Sequence, residues 1–173
     1  FCPVTATEQQ PDGSWIVRTP KGDIHTQWVV NAAGLWGREV AALAGITLPL
    51  QPTEHQYFVT ETIAEIDALD RRLPSVADRD GEYYLRQEGK GLLVGAYEKD
   101  LRFWAEDGTP QGFGHELFAD DLERIEDNMM RAIERVPAVG EAGIKRVING
   151  PMIWSPDANV LYGPHPDLRN YFC

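Results

Sequence analysis

Trp28-Val29-Val30-Asn31-Ala32-Ala33-Gly34-Leu35-Trp36 is the stretch on which the fold turns. Its apolar start reads as the end of a strand, and Asn31 to Gly34 break it. Trp36, Val40, Leu43 and Ala44 then recur at helical spacing, with Gly45 as the expected C-terminal stop. Ala32, Ala33 and Gly34 carry so little side chain that another group can come close to the backbone. The turn also leads into a helix N-terminus, where unpaired N–H groups favour negative charge. Tight packing of a strand against a helix accounts for the same pattern without any ligand.

Upstream, Pro11-Asp12-Gly13 is a turn signal between short extended segments. Ser14–Arg18 and Ile24–Val30 are expected to be strands, separated by Pro20 to Asp23. From Pro52 onward the character changes. Glu54 to Glu61 can alternate, with His55, Tyr57 and Val59 on one face and Gln56, Phe58 and Thr60 on the other. Tyr83–Gln87 and Gly91–Tyr97 read as two further strands, preceded by a turn at Asp78 to Gly81. Residues 99–118 read as irregular and rich in aromatics. Leu122, Ile125, Met129, Ile133 and Val136 keep helical spacing, which predicts a helix over 121–136 opened by Asp120 and Glu123 and ended by Pro137. Ile144–Trp154 and Val160–Tyr162 are expected to be extended, and Asn170–Cys173 reads as a strand cut off partway.

The 27 acidic residues outnumber 16 basic ones, for a formal net charge of -11. That balance argues against nucleic acid, because phosphate binding needs clustered Lys and Arg. No run approaches the roughly 18 apolar residues of a membrane span. Cys2 and Cys173 have neither metal-ligand nor CxxC spacing, so no metal is expected and reduced thiols are the simpler reading. No GxGxxG, P-loop, HExxH or GxSxG motif occurs, so any dinucleotide fingerprint must lie outside this chain. Both ends read as breaks within a longer protein.

The stretch Val29–Trp36 resembles the second nucleotide-domain motif of the D-amino-acid-oxidase-like flavoproteins. Pro49-Leu50-Gln51-Pro52-Thr53-Glu54-His55-Gln56-Tyr57-Phe58-Val59-Thr60 narrows the match, as do Tyr83–Arg86 with Gly91–Gly95 and the run from Asp121 through Pro137 to Gly143–Pro151. Together these are similar to the branch that demethylates dimethylglycine or sarcosine, over essentially the whole chain.

The resemblance implies an α+β fold: an antiparallel-sheet substrate domain with one long helix over residues 51–149, flanked by parts of a discontinuous FAD-binding domain at 1–50 and 150–173. It implies FAD as cofactor, with the opening glycine fingerprint and the flavin-carrying histidine upstream. A tetrahydrofolate-binding domain would lie downstream in the longer members. Val4 would touch the adenine through its backbone; Ala32, Ala33, Gly34 and Trp36 would lie near the nucleotide. His55 matches a histidine of the catalytic pocket, a side chain able to take or give a proton near neutral pH. Tyr83 matches a tyrosine expected near both flavin and amine, and Tyr84, next in the strand, must point the other way. Each of these residues also has a plain structural reading: a strand valine, a structural histidine, an aromatic core pair. His25, His115 and His165 are read as surface or loop residues, and Arg86, Arg102 and Lys145 as solvated charges.

The implied partners are a small N-methyl amino acid and an electron-acceptor protein or folate domain, with neither nucleic acid nor membrane. The implied compartment is the bacterial cytoplasm, or the mitochondrial matrix in a eukaryote. Two alternatives stand beside this: a relative acting on another amino or hydroxy acid, and a truncated module that binds no flavin. The fragment alone is expected to be inactive.

Overall fold

A computed structural model describes residues 2–173. The chain forms two compact units. The first comprises the chain up to Pro52 together with Trp104–Phe113 and Ile153–Cys173; the second comprises Thr53–Phe103 and Gly114–Met152. The architecture is mixed, with antiparallel sheets and few helices.

In the first unit, strands β1 (Ala6–Gln9), β2 (Trp15–Thr19) and β3 (Gly22–Thr26) make an antiparallel sheet in sequence order. The Asp12 carboxylate accepts from both the N–H and the hydroxyl of Ser14, which closes the expected turn. The strand predicted over Ile24–Val30 divides. After β3, the Thr26 hydroxyl donates to Trp28 O and accepts from Trp28 N, and β4 (Val29–Val30) leaves to pair in parallel with β10 (Tyr171–Phe172). The register is Tyr171 opposite Val29 and Phe172 opposite Val30. Trp15 is 1% exposed and donates from Nε1 to the Arg169 carbonyl at 3.0 Å, while its ring lies 5.5 Å from that of Tyr171. Burial of this pair locks the end of the chain to the first sheet. Val160–Tyr162, expected to be extended, forms no strand and is largely exposed. Asp157 holds Ser155 and Asn159 in a local turn instead.

The second unit is built on a five-stranded sheet in the order β6 (Val76–Asp78), β7 (Tyr83–Glu88), β8 (Gly91–Ala96), β5 (Gln51–Thr60), β9 (Ile144–Trp154). The β6–β7, β7–β8 and β8–β5 pairings are all antiparallel. One face carries Phe58, Tyr83, Leu85, Leu92, Val94 and Ala96. These pack against Ile63 and Ile66 beside the short helix α2 (Ala64–Asp67), and against Ile125, Ala132 and Val139. Each such large apolar side chain contributes about 1.5–3 kcal/mol on full burial.

The helix predicted over 121–136 is shorter: a 3₁₀ turn at Glu123–Ile125, then α3 (Glu126–Arg135). No side chain caps either start, so the Asp120–Glu123 capping arrangement is not formed. Asp121 is held elsewhere, because the buried Gln56 amide bonds both its carbonyl and its N–H. Pro137 ends α3 as expected and opens α4 (Ala138–Ala142), a position where a missing N–H costs nothing. The Leu122/Ile125/Met129/Ile133/Val136 stripe faces the core.

Candidate functional site

The turn from Asn31 to Trp36 lies in the first unit. Asn31, nearly buried, ties it down: its N–H donates to Phe172 O at 2.7 Å, its amide donates to Gly37 O at 2.7 Å, and its Oδ1 accepts from Ala33 N at 3.2 Å. One side chain thus joins the end of β4 to the start of helix α1 (Gly37–Ala42), which follows a 3₁₀ turn over Gly34–Trp36. Gly34 has φ +56°, and a Cβ there would meet nothing within 4 Å. The turn is therefore left-handed at Gly34 and open beside it. Ala32 and Gly34 are exposed, and Ala33 and Trp36 are half-buried. Trp36 points its indole N–H at Pro110 O, 3.1 Å away. Thr109 bonds Leu35 O through its hydroxyl and the Glu39 carboxylate through its N–H. Burial pushes the Glu39 carboxyl up, but the bonds from Thr109 and Arg38 outweigh it and hold it below the usual range. Val4 sits in the extended lead-in to β1, 39% exposed. An open turn of small residues and an exposed extended backbone fit a nucleotide that is read by main-chain groups.

The second constellation lies on the sheet face opposite the core of the second unit. Alternation on β5 sends Phe58 into the core and Tyr57 and His55 to the other side. Tyr57 stands opposite Gly95, and Gly95 opposite Tyr84, so all three share this face. The Tyr84 ring lies directly over Gly95, where any Cβ would collide with it. It stacks 5.5 Å from Tyr97, whose ring is 6.2 Å from that of His55. His55 Nδ1 is 2.9 Å from Glu98 Oε2, and the Glu98 side chain is 1% exposed against 13% for His55. Glu98 Oε1 accepts the Gln56 N–H at 3.0 Å. Burial raises the Glu98 carboxyl; the hydrogen bond from His55 and the backbone donors outweigh it and hold it below its ordinary value. An ionised carboxylate can only accept, so Nδ1 donates, and in the neutral ring Nε2 is the nitrogen without a proton. Burial, reinforced by Tyr97 and Tyr57, raises the Tyr84 hydroxyl.

Tyr83 is not on this face. It is 1% exposed within the core, and its hydroxyl has no partner of good hydrogen-bond geometry. Burial first, and then the nearby Asp78 carboxylate, push that hydroxyl up. The expectation that Tyr83 lies beside the amine therefore finds no geometry on the His55 face. The register places Tyr84 beside His55 instead, and sequence alternation showed that one of the two tyrosines must be inward without saying which. Tyr97 and Glu98 carry no motif, and only tertiary contact brings them to His55. His25 and His115 are exposed, and His165 accepts from Asp167 N within its own loop. Among the described residues no cluster could hold a metal, and no helix is long and apolar enough to cross a membrane.

Comparison with known proteins supplies the family. The chain is 47% identical to the mitochondrial dimethylglycine dehydrogenase of Mus musculus over 98% of its own length and 20% of that protein's. It is 39% identical to the mitochondrial sarcosine dehydrogenase of Homo sapiens over 99% of its length and 18% of that protein's. It thus spans about one fifth of the curated relatives it matches. Among solved structures, L-proline dehydrogenase from P. horikoshii superposes with a TM-score of 0.71 at 24% identity, over 99% of this chain and 42% of that one. That likeness shows the fold. The model of the family described as FAD dependent oxidoreductase matches residues 1–173, and the chain belongs to that family.

Proposed function

We propose that this chain is the central part of a flavoprotein that oxidises an N-methyl amino acid of the dimethylglycine or sarcosine type and removes the methyl group. The observation that carries the proposal is His55, held by Nδ1 with Nε2 open, on one sheet face with Tyr97 and Tyr84. The high identity to dimethylglycine dehydrogenase and sarcosine dehydrogenase supports the substrate class.

In this reading the first unit contributes to FAD binding through Val4, Ala32, Ala33, Gly34 and Trp36, and the second holds the amine. FAD, when bound there, would supply the oxidising power for loss of hydride from the N-methyl carbon, and the resulting iminium would be hydrolysed by water or captured by tetrahydrofolate. A protonated amine has no lone pair to assist hydride loss, so the site must first remove a proton. His55 Nε2 takes it. Tyr84 and Tyr97 give the cationic amine an aromatic surface, and ring faces attract N-methylated cations. Tyr83 acts here through the core, supporting the strand that presents Tyr84. The mitochondrial relatives favour the matrix for a eukaryotic source, and a bacterial source keeps the cytoplasm.

The test is anaerobic addition of dimethylglycine, sarcosine and an unmethylated amino acid to the full-length protein, followed by flavin absorbance. Bleaching by the N-methyl compounds alone supports the proposal. A flavin reduced only by the unmethylated compound moves the protein to another substrate class within the family.

A further inference from the structure

We propose that Glu98 is the positioning residue for His55: its two oxygens, one taking the His55 Nδ1–H and the other the Gln56 N–H, fix the tautomer in which Nε2 stays unprotonated toward the substrate. This rests on the assignment of His55 as the proton acceptor.

Glu98 lies two residues beyond the end of β8 and is 7% exposed. A carboxylate so buried is costly unless its oxygens are bonded. Both are: Oε2 by His55 at 2.9 Å and Oε1 by the main chain of Gln56 at 3.0 Å. Neighbouring residues of one strand are thus bound by one carboxylate. The imidazole is oriented against the backbone of β5 itself, not against a loop. The Gln56 residue is fully buried, so leaving its N–H without an acceptor would be costly. That donor pins Oε1 in place, and only Oε2 is left for the ring.

The pinning gives an isosteric substitution a definite consequence. Glutamine at this position has one oxygen and one NH2 group. The buried Gln56 N–H retains the oxygen, so the NH2 group must face Nδ1. Nδ1 can accept from it only in the tautomer that carries its proton on Nε2. Glu98→Gln therefore transfers the ring proton to the nitrogen that has to be vacant, with no change of volume. Glu98→Asp keeps a carboxylate and so keeps the tautomer.

The first test is ¹⁵N-histidine NMR on the full-length flavoprotein, which needs no turnover. Wild type and Glu98→Asp are expected to show His55 protonated on Nδ1, and Glu98→Gln to show it protonated on Nε2. An unchanged tautomer in Glu98→Gln overturns the proposal. The second test is the limiting rate of flavin reduction by dimethylglycine in Glu98→Gln, His55→Ala and the double variant. Wrong-tautomer loss is expected to slow Glu98→Gln on the order of 10²-fold or more. The same substitution is expected to have no further effect once His55 is alanine, because the pair acts as one unit. An equal slowing in both backgrounds would mean that Glu98 acts only by holding the strand, and would reject the proposal. If no N-methyl amine bleaches the wild-type flavin, the functional reading fails by itself, and the NMR result still decides the role of Glu98.

Discussion

His55 and the two tyrosines of β7 show how one residue of register decides chemistry. Tyr83 and Tyr84 are the same side chain one position apart, yet one sits in the core and the other lies over Gly95 toward Tyr97 and His55. Tyr84→Phe is expected to slow flavin reduction roughly tenfold, and His55→Ala on the order of 10²–10⁴-fold, with flavin content unchanged. Tyr83→Phe is expected to leave the rate unaltered. It removes a buried hydroxyl that lacks a good partner, so stability should stay within about 0.5 kcal/mol or rise, as read from the urea midpoint. Glu98 adds a pH signature. Its carboxyl is held below its ordinary value in the folded protein, so its contribution to stability is present above that ordinary value and disappears as pH falls through the folded-state pKa. The stability gap between wild type and Glu98→Gln should accordingly be full at neutral pH and close as pH falls through the lowered folded-state value.

At the scale of elements, β8 is the centre of the second unit: every residue of it is buried, between β7 and β5. At Gly95 a side chain would collide with the Tyr84 ring, which this glycine lets approach the strand closely. Gly95→Val is expected to cost about 1–3 kcal/mol by overpacking and to displace Tyr84, seen as a lowered unfolding midpoint together with slower flavin reduction. On the opposite face Ile125, 1% exposed in the 3₁₀ turn before α3, anchors the helical layer. Ile125→Ala should lose about 2–5 kcal/mol, measured by denaturant unfolding, while leaving the tautomer of His55 as it is.

Over the whole molecule, Cys2 is exposed and Cys173 half-buried, and both are free thiols. Burial pushes the Cys173 thiol up, which lowers its reactive thiolate fraction. A thiol reagent at neutral pH should therefore label Cys2 faster than Cys173, and a reducing agent should leave the unfolding midpoint unchanged. The acidic balance of the chain gives an anionic group no general attraction, so recognition of a substrate carboxylate has to be local.

Periodicity alone was enough for the turn at Asn31–Gly34, for β5, β7, β8 and β9, and for the apolar stripe through Met129. In these segments the residue pattern, the backbone preference and the burial all agree. The shortened helix, the divided strand at Trp28 and the pairing of Val29–Val30 with Tyr171–Phe172 were decided by partners far along the chain. Gln56 claims the backbone of Asp121, and β10 claims β4. The same is true of the site. That His55 is able to move a proton is a property of its side chain, legible in the sequence. Which nitrogen is free, which tyrosine accompanies it and which carboxylate holds it depend on a face shared by β5, β7 and β8. Residues distant along the chain come to that face only when the tertiary fold brings them together.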